Sequence, residues 1–172
     1  MTVYTETTSL ILWQDLIRYA EHRCSVRLKQ DLESYLVSLL MRYTNKPELV
    51  NQLIATAFLN AMQKREEERH LSLQHVGDQC LLFAGLFPRV AEKRHVKVSY
   101  FVDLGRSAYA AISHTTNDLY GSLALQFVAL MDVLQSIRPD TDLLPLEAYD
   151  QWHDVGSQWA YKVLQSYTHH KF

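Results

Sequence analysis

Apolar positions recur along this chain at spacings of three and four residues, the periodicity of helices that bury one face, and the pattern predicts about seven of them. Leu10, Trp13, Leu16, Ile17 and Ala20 form the inward stripe of a first helix, capped by Thr8 or Ser9 and ending near Cys24. Leu32, Tyr35, Leu36, Leu39 and Tyr43 mark a second, opened by Asp31 and stopped by the TNKP sequence. Asn45 and Glu48 have the spacing of a capping box with Pro47 in the first turn, and Val50, Leu53, Ile54, Ala57, Phe58 and Ala61 follow as the buried face of a third helix. The KREEER sequence then reads as its solvated last turn or an exposed extension.

The most apolar run is VGDQCLLFAGLF, from Val76 to Phe87, closed by Pro88. As a helix near residues 71–87 it places Leu73, Val76, Cys80, Phe83, Ala84 and Phe87 on one stripe, with Leu81 and Leu82 outside it. A helix apolar nearly all round belongs inside a bundle. After a Lys- and Arg-rich connection, PRVAEKRHVKV, Ser99 caps a fifth helix whose face is Phe101, Val102, Gly105, Ala108, Tyr109 and Ile112. VKVSYFV also reads as a short strand, but such a strand would have no partner. A sixth helix opens at Thr116 or Asn117 and carries Tyr120, Leu123, Ala124, Phe127, Leu130, Met131, Leu134 and Ile137 inward as far as Pro139. Pro145 opens the last, lined by Tyr149, Trp152, Gly156, Trp159, Val163 and Tyr167.

These elements predict an all-α fold, a single-domain bundle over residues 1–172. Glycine inside a helix costs about 1 kcal/mol relative to alanine, so Gly77, Gly85 and Gly105 need a reason. Close approach of helix backbones supplies one, and the fourth and fifth helices are expected to pack tightly, on each other in the simplest case.

The pair VGDQCLLFAGLFPRV and VSYFVDLGRSAYAAIS resembles a pattern of small uncharacterised helical proteins of bacteria. The resemblance rests on Gly77, Asp78, Leu82, Gly85, Phe87 and Pro88, then on Tyr100, Phe101, Gly105, Ala108 and Tyr109. It implies a bacterial origin and carries no activity.

Composition narrows the picture further. A net charge of -2 gives no electrostatic case for nucleic acid, and the basic group Arg18, His22, Arg23, Arg27 and Lys29 falls where a helix dipole favours cations. Cys24 and Cys80 have no metal or redox spacing and read as reduced thiols. The start of the chain lacks the features of a secretory signal and no run spans a bilayer, so a cytoplasmic location is expected.

Few constellations could carry chemistry. Glu67 with His70, and Asp150 with His153, have the Glu-x-x-His spacing of helical di-metal sites, but both fall among solvated or first-turn charges, so neither metal nor cofactor is expected. Asp103, Ser107 and His114 suggest a hydrolytic set, yet Asp103 and His114 are separated by roughly 16 Å of helix. Asp78 lies on the side of the central helix opposite its main stripe, with Leu82 and Gly85. Buried, it must be paired or protonated, and His75, Arg89, Arg94 or Arg106 are candidate partners in a structural ion pair.

The reading that fits best is a non-catalytic helical protein that self-associates as a homodimer or binds a protein partner. Trp152 and Trp159, the small-residue helices and the loop Arg89 to Lys97 are the surfaces to test. The rival is a small-molecule protein or enzyme with a pocket around Asp78, Tyr100 and Tyr109, and a weaker third is a nucleic-acid-binding regulator.

Overall fold

The computed structural model describes residues 2–45, 54–87, 96–115, 117–137 and 143–169, and every regular element among them is helical. Nine helices follow in order: α1 (Thr2–Cys24), α2 (Gln30–Asn45), α3 (Ile54–Met62), α4 (Glu66–Leu86), α5 (Val98–Ile112), α6 (Leu119–Leu125), α7 (Phe127–Gln135), α8 (Pro145–Val155) and α9 (Gln158–His169). The increase over the expected seven has two sources. The sixth helix bends at Gln126, where φ is -99 and ψ 16. Gln126 N–H still reaches Ser122 and Leu130 N–H still reaches Gln126, so the hydrogen-bond ladder runs through the bend. The seventh ends outright at Gly156, whose φ of 72 puts it in the left-handed conformation that terminates helices. Gly156 is therefore a cap and not part of a continuous face.

The central helix starts earlier than its apolar run. KREEER does not extend the third helix; Glu66, Glu67 and Glu68 form the first turn of α4, where the helix dipole favours acids. From Val76 to Gly85 every residue of α4 is buried. This helix packs most extensively on α5, and also on α3 and α7. Lys97, not Ser99, occupies the N-cap position of α5, while the expected face of Phe101, Val102, Gly105, Ala108, Tyr109 and Ile112 is buried throughout. The VKVSYFV segment therefore opens a helix and is no strand.

The helical glycines mark the close approaches. A Cβ on Gly105 would lie 2.8 Å from the Cys80 Cβ and 2.5 Å from the Phe127 ring, and one on Gly77 would lie 2.5 Å from the Tyr109 ring. Only glycine lets α4 and α5 meet at this distance, so each glycine is retained in spite of its helix cost. One contiguous apolar cluster draws side chains from all nine helices.

α1 departs from expectation at its outer half. Ile17, Ala20 and Cys24 are buried, but Leu10 and Leu16 are exposed, because α1 rests on α2 and α7 along one narrow side. Its start at Thr2 also precedes the expected caps. The proposed Asn45–Glu48 capping box lies outside the described residues.

Candidate functional site

Two buried carboxylates organise the polar interior. Asp78 sits on α4, 5% exposed, where α2 and α5 close over it. Tyr109, fully buried on α5, donates its hydroxyl to Asp78 Oδ1 at 2.7 Å, and Tyr35 of α2 donates to the same oxygen at 2.5 Å. The other oxygen faces Arg42, whose Nη2 lies 3.4 Å from Oδ2. Arg42 also lies over the Tyr35 ring, and Gln74 Nε2 donates to the Tyr35 hydroxyl. Tyr120 completes an aromatic triangle with Tyr35 and Tyr109, at ring separations of 6.5 and 6.3 Å.

Burial raises the Asp78 carboxyl above its ordinary value, opposed by the Tyr35 and Tyr109 hydrogen bonds and then by the charges of Arg42 and His75. Burial likewise pushes Tyr35 and Tyr109 upward, reinforced by the negative charge of Asp78. Burial alone would lower Arg42, but Asp78 together with Tyr35 and Tyr109 outweighs it and the net direction is upward. Such phenols are poor bases and poor nucleophiles. The arrangement orders three helices around one carboxylate and leaves its oxygens occupied.

The second carboxylate, Asp132 of α7, is 2% exposed. Ser157 donates its hydroxyl to Oδ1 at 2.5 Å, and the backbone N–H groups of Gln158 and Trp159 donate to Oδ2 at 3.2 and 3.4 Å. Asp132 therefore caps the N-terminus of α9 from another helix. Ser157 accepts in turn from Ala160 N–H and Gln151 Nε2. Gln151 and Gln135 exchange amide hydrogen bonds, and Gln135 also donates to the Ala84 carbonyl of α4. Burial pushes Asp132 up to about 6, against the pull of its three donors.

The sequence-predicted residues divide accordingly. Asp78 and Tyr109 meet. His75 is exposed beside a hollow between α3 and α4, and acts on Asp78 through charge. Tyr100 is exposed on α5, nine residues from Tyr109 and so on the opposite side of the helix, with its ring against Phe101. The pocket expected around Asp78, Tyr100 and Tyr109 therefore does not have those residues on one wall. Arg106 is exposed, and Arg89 and Arg94 lie outside the described residues; the cation beside Asp78 is Arg42. Trp159 is buried beneath the Arg23 guanidinium, and half-buried Trp152 lies between Tyr149 and Tyr161.

Tyr35, Arg42, Asp132, Gln135, Gln151 and Ser157 were missed as site residues. Asp132 and Gln135 fall off the apolar stripe of the predicted sixth helix, where polar residues are ordinary, so periodicity did not single them out. Nothing local identified Arg42.

No group of three or more His, Cys, Asp or Glu among the described residues could hold a metal. His70 packs its ring on Tyr120 and His153 stacks on Tyr149, so the two Glu-x-x-His-like pairs serve different parts of the surface. Arg18 is paired with Glu33, while Arg27 and Lys29 line a shallow hollow with Asn117 and Gln126. No described helix is long and apolar enough to cross a membrane.

An exposed apolar row runs along α1. Leu12, Leu16 and Tyr19, at helical spacing on one face of α1, are 59%, 37% and 51% exposed. From Thr8 to Leu16 no side chain is buried.

Comparison of the chain with protein-family models, with curated proteins and with solved structures finds no match in any of the three.

Proposed function

We propose that this protein is a non-catalytic helical module that works by binding another protein chain through α1, and that the chain it binds is a second copy of itself. The observation that carries the reading is the exposed row Leu12, Leu16 and Tyr19 on a helix whose outer half has no buried side chain from Thr8 to Leu16. Trp13 packs against the core from the inner side of this stretch, which leaves the outer row of Leu12, Leu16 and Tyr19 for another chain to cover. The row is self-complementary: two copies of α1 laid antiparallel set Leu16 near Leu16 and Leu12 near Tyr19 in both directions, as a two-fold interface requires. Three such side chains are few for an obligate interface, which buries more than about 2,000 Å², so the dimer is a reversible one.

The interior supports the same reading. Asp78 is compensated on both oxygens, by two phenols and by Arg42, which is the form of a structural ion pair.

Sedimentation velocity over a hundredfold range of concentration tests the proposal. A mass that rises from one chain toward two, with the rise abolished in Leu12→Glu/Leu16→Glu, is expected. A single-chain mass throughout, or a dimer indifferent to both substitutions, contradicts it. Failure of this dimer together with stable capture of a different protein by α1 would keep the surface and replace the occupant.

A further inference from the structure

A hollow of about 320 Å³ lies between α8 and the start of α5, away from α1 and from Asp78, and Gln151 of the Asp132 network forms part of its wall. Its walls are apolar: Val96 and Val98 on one side, Leu143, Leu144 and Leu146 on the other. Three carboxylates, Glu147, Asp150 and Asp154, enter it from one face of α8, at the i, i+3 and i+7 spacing that aligns side chains along a helix. Lys97 is the one cation among its described lining residues.

The three carboxylates are unequally committed. Asp154 is engaged on both oxygens, by Lys97 Nζ at 3.7 Å and by His153 Nδ1 at 3.3 Å. Glu147 accepts the Leu144 N–H through Oε2 at 3.3 Å and so closes the first turn of α8. Asp150, half-buried between them, makes no hydrogen bond or ion pair with any described residue. Lys97 is drawn toward Asp154, so among the described lining residues Asp150 is a carboxylate without a cation beside it, next to the apolar walls.

We infer that this hollow is a binding site for a small amphiphilic cation, an ammonium group on a short hydrocarbon body, with Asp150 receiving the ammonium and the valine and leucine walls receiving the hydrocarbon. Its volume lies at the low end of the roughly 300–1,000 Å³ usual for small-ligand sites, so it takes a small molecule whole and not a length of chain. Charge and apolar area act together here. An alcohol of the same length gains only the wall contacts, and a carboxylate is repelled.

Isothermal titration with n-hexylammonium, hexanol and hexanoate at neutral pH tests the assignment directly. Hexylammonium is expected to bind at least ten times more tightly than hexanol, with no measurable binding of hexanoate. Asp150→Asn should reduce hexylammonium affinity about tenfold and leave hexanol unchanged, while Asp103→Asn, which removes an exposed carboxylate on α5, should change neither. Absence of hexylammonium binding, equal affinity for all three probes, or equal losses in the two variants would overturn it. The site is independent of α1, so Leu12→Glu/Leu16→Glu should bind hexylammonium as the wild type does.

Discussion

Asp78 and Asp132 are both carboxylates sunk in an apolar interior, yet the bundle compensates them by different means. Asp78 receives two phenolic hydrogen bonds and a formal positive charge from Arg42, whose own side chain is 43% exposed. Asp132 receives only neutral donors: one hydroxyl and two backbone N–H groups at the start of α9. The first arrangement clamps three helices side by side. The second ties the end of one helix to the side of another, using the partial positive charge of a helix N-terminus in place of a cation. Both carboxyls are raised by burial, so each still holds its proton more tightly in the folded chain than in the unfolded one.

Substitutions can break the comparison at each end. The largest effect is expected from Asp78→Ala, which leaves the buried Tyr109 phenol, the half-buried Tyr35 phenol and Arg42 without their acceptor and should cost about 3–5 kcal/mol in urea denaturation. Even Asp78→Asn, which keeps an acceptor for the phenols but loses the charge, should lower the melting temperature, and an unchanged value would remove the ion pair from the account. Next comes pH. Asp132 is raised from 3.8 to about 6 in the fold, so its stabilising contribution is fully present below 3.8 and is lost as pH rises through about 6. Measured against Asp132→Asn, the wild type should lose on the order of 2–3 kcal/mol between about pH 4 and pH 7. A difference between the two proteins that stays flat with pH would mean that the Asp132 environment is solvated. Ser157→Ala deletes one donor to Asp132 and the acceptor of Gln151 and Ala160, at about 1–2 kcal/mol, with hydrogen-exchange protection falling first at the start of α9. Arg42→Gln should have the smallest effect, about 1 kcal/mol or less, because water and salt screen a half-exposed pair. A loss as large as that of Asp78→Ala would show the cation, not the phenols, to be the main compensation.

Local pattern carried much of the fold. The face of α5 was legible in full because its six apolar residues keep strict helical spacing and all six are buried. The same is true of the burial of α4, whose run from Val76 to Gly85 has no polar side to offer to water apart from Asp78 and Gln79. Breaks were harder to read. Gly156 kept the spacing of a continuous helix, and only its left-handed backbone reveals a terminus. The outer half of α1 was misassigned because periodicity marks an apolar face without saying whether this chain or another covers it. The candidate site was half legible. Asp78 and Tyr109 lie on elements adjacent in sequence, but Tyr35 and Arg42 reach them from α2, more than thirty residues away. Pairings of that range depend on how helices cross, which the amphipathic pattern of a single helix does not encode.

The central claim is that α1 meets its own copy at Leu16, and a cysteine placed there reads the contact directly. Cys24 and Cys80 are buried and burial raises both thiols, so a new surface thiol dominates the chemistry under mild oxidation. Leu16→Cys should form a covalent dimer rapidly, whereas Leu71→Cys, at an equally apolar but more exposed position on α4, should remain a single chain. Comparable rates of cross-linking at the two positions, or none at Leu16→Cys, would contradict the proposed pairing of α1 with itself.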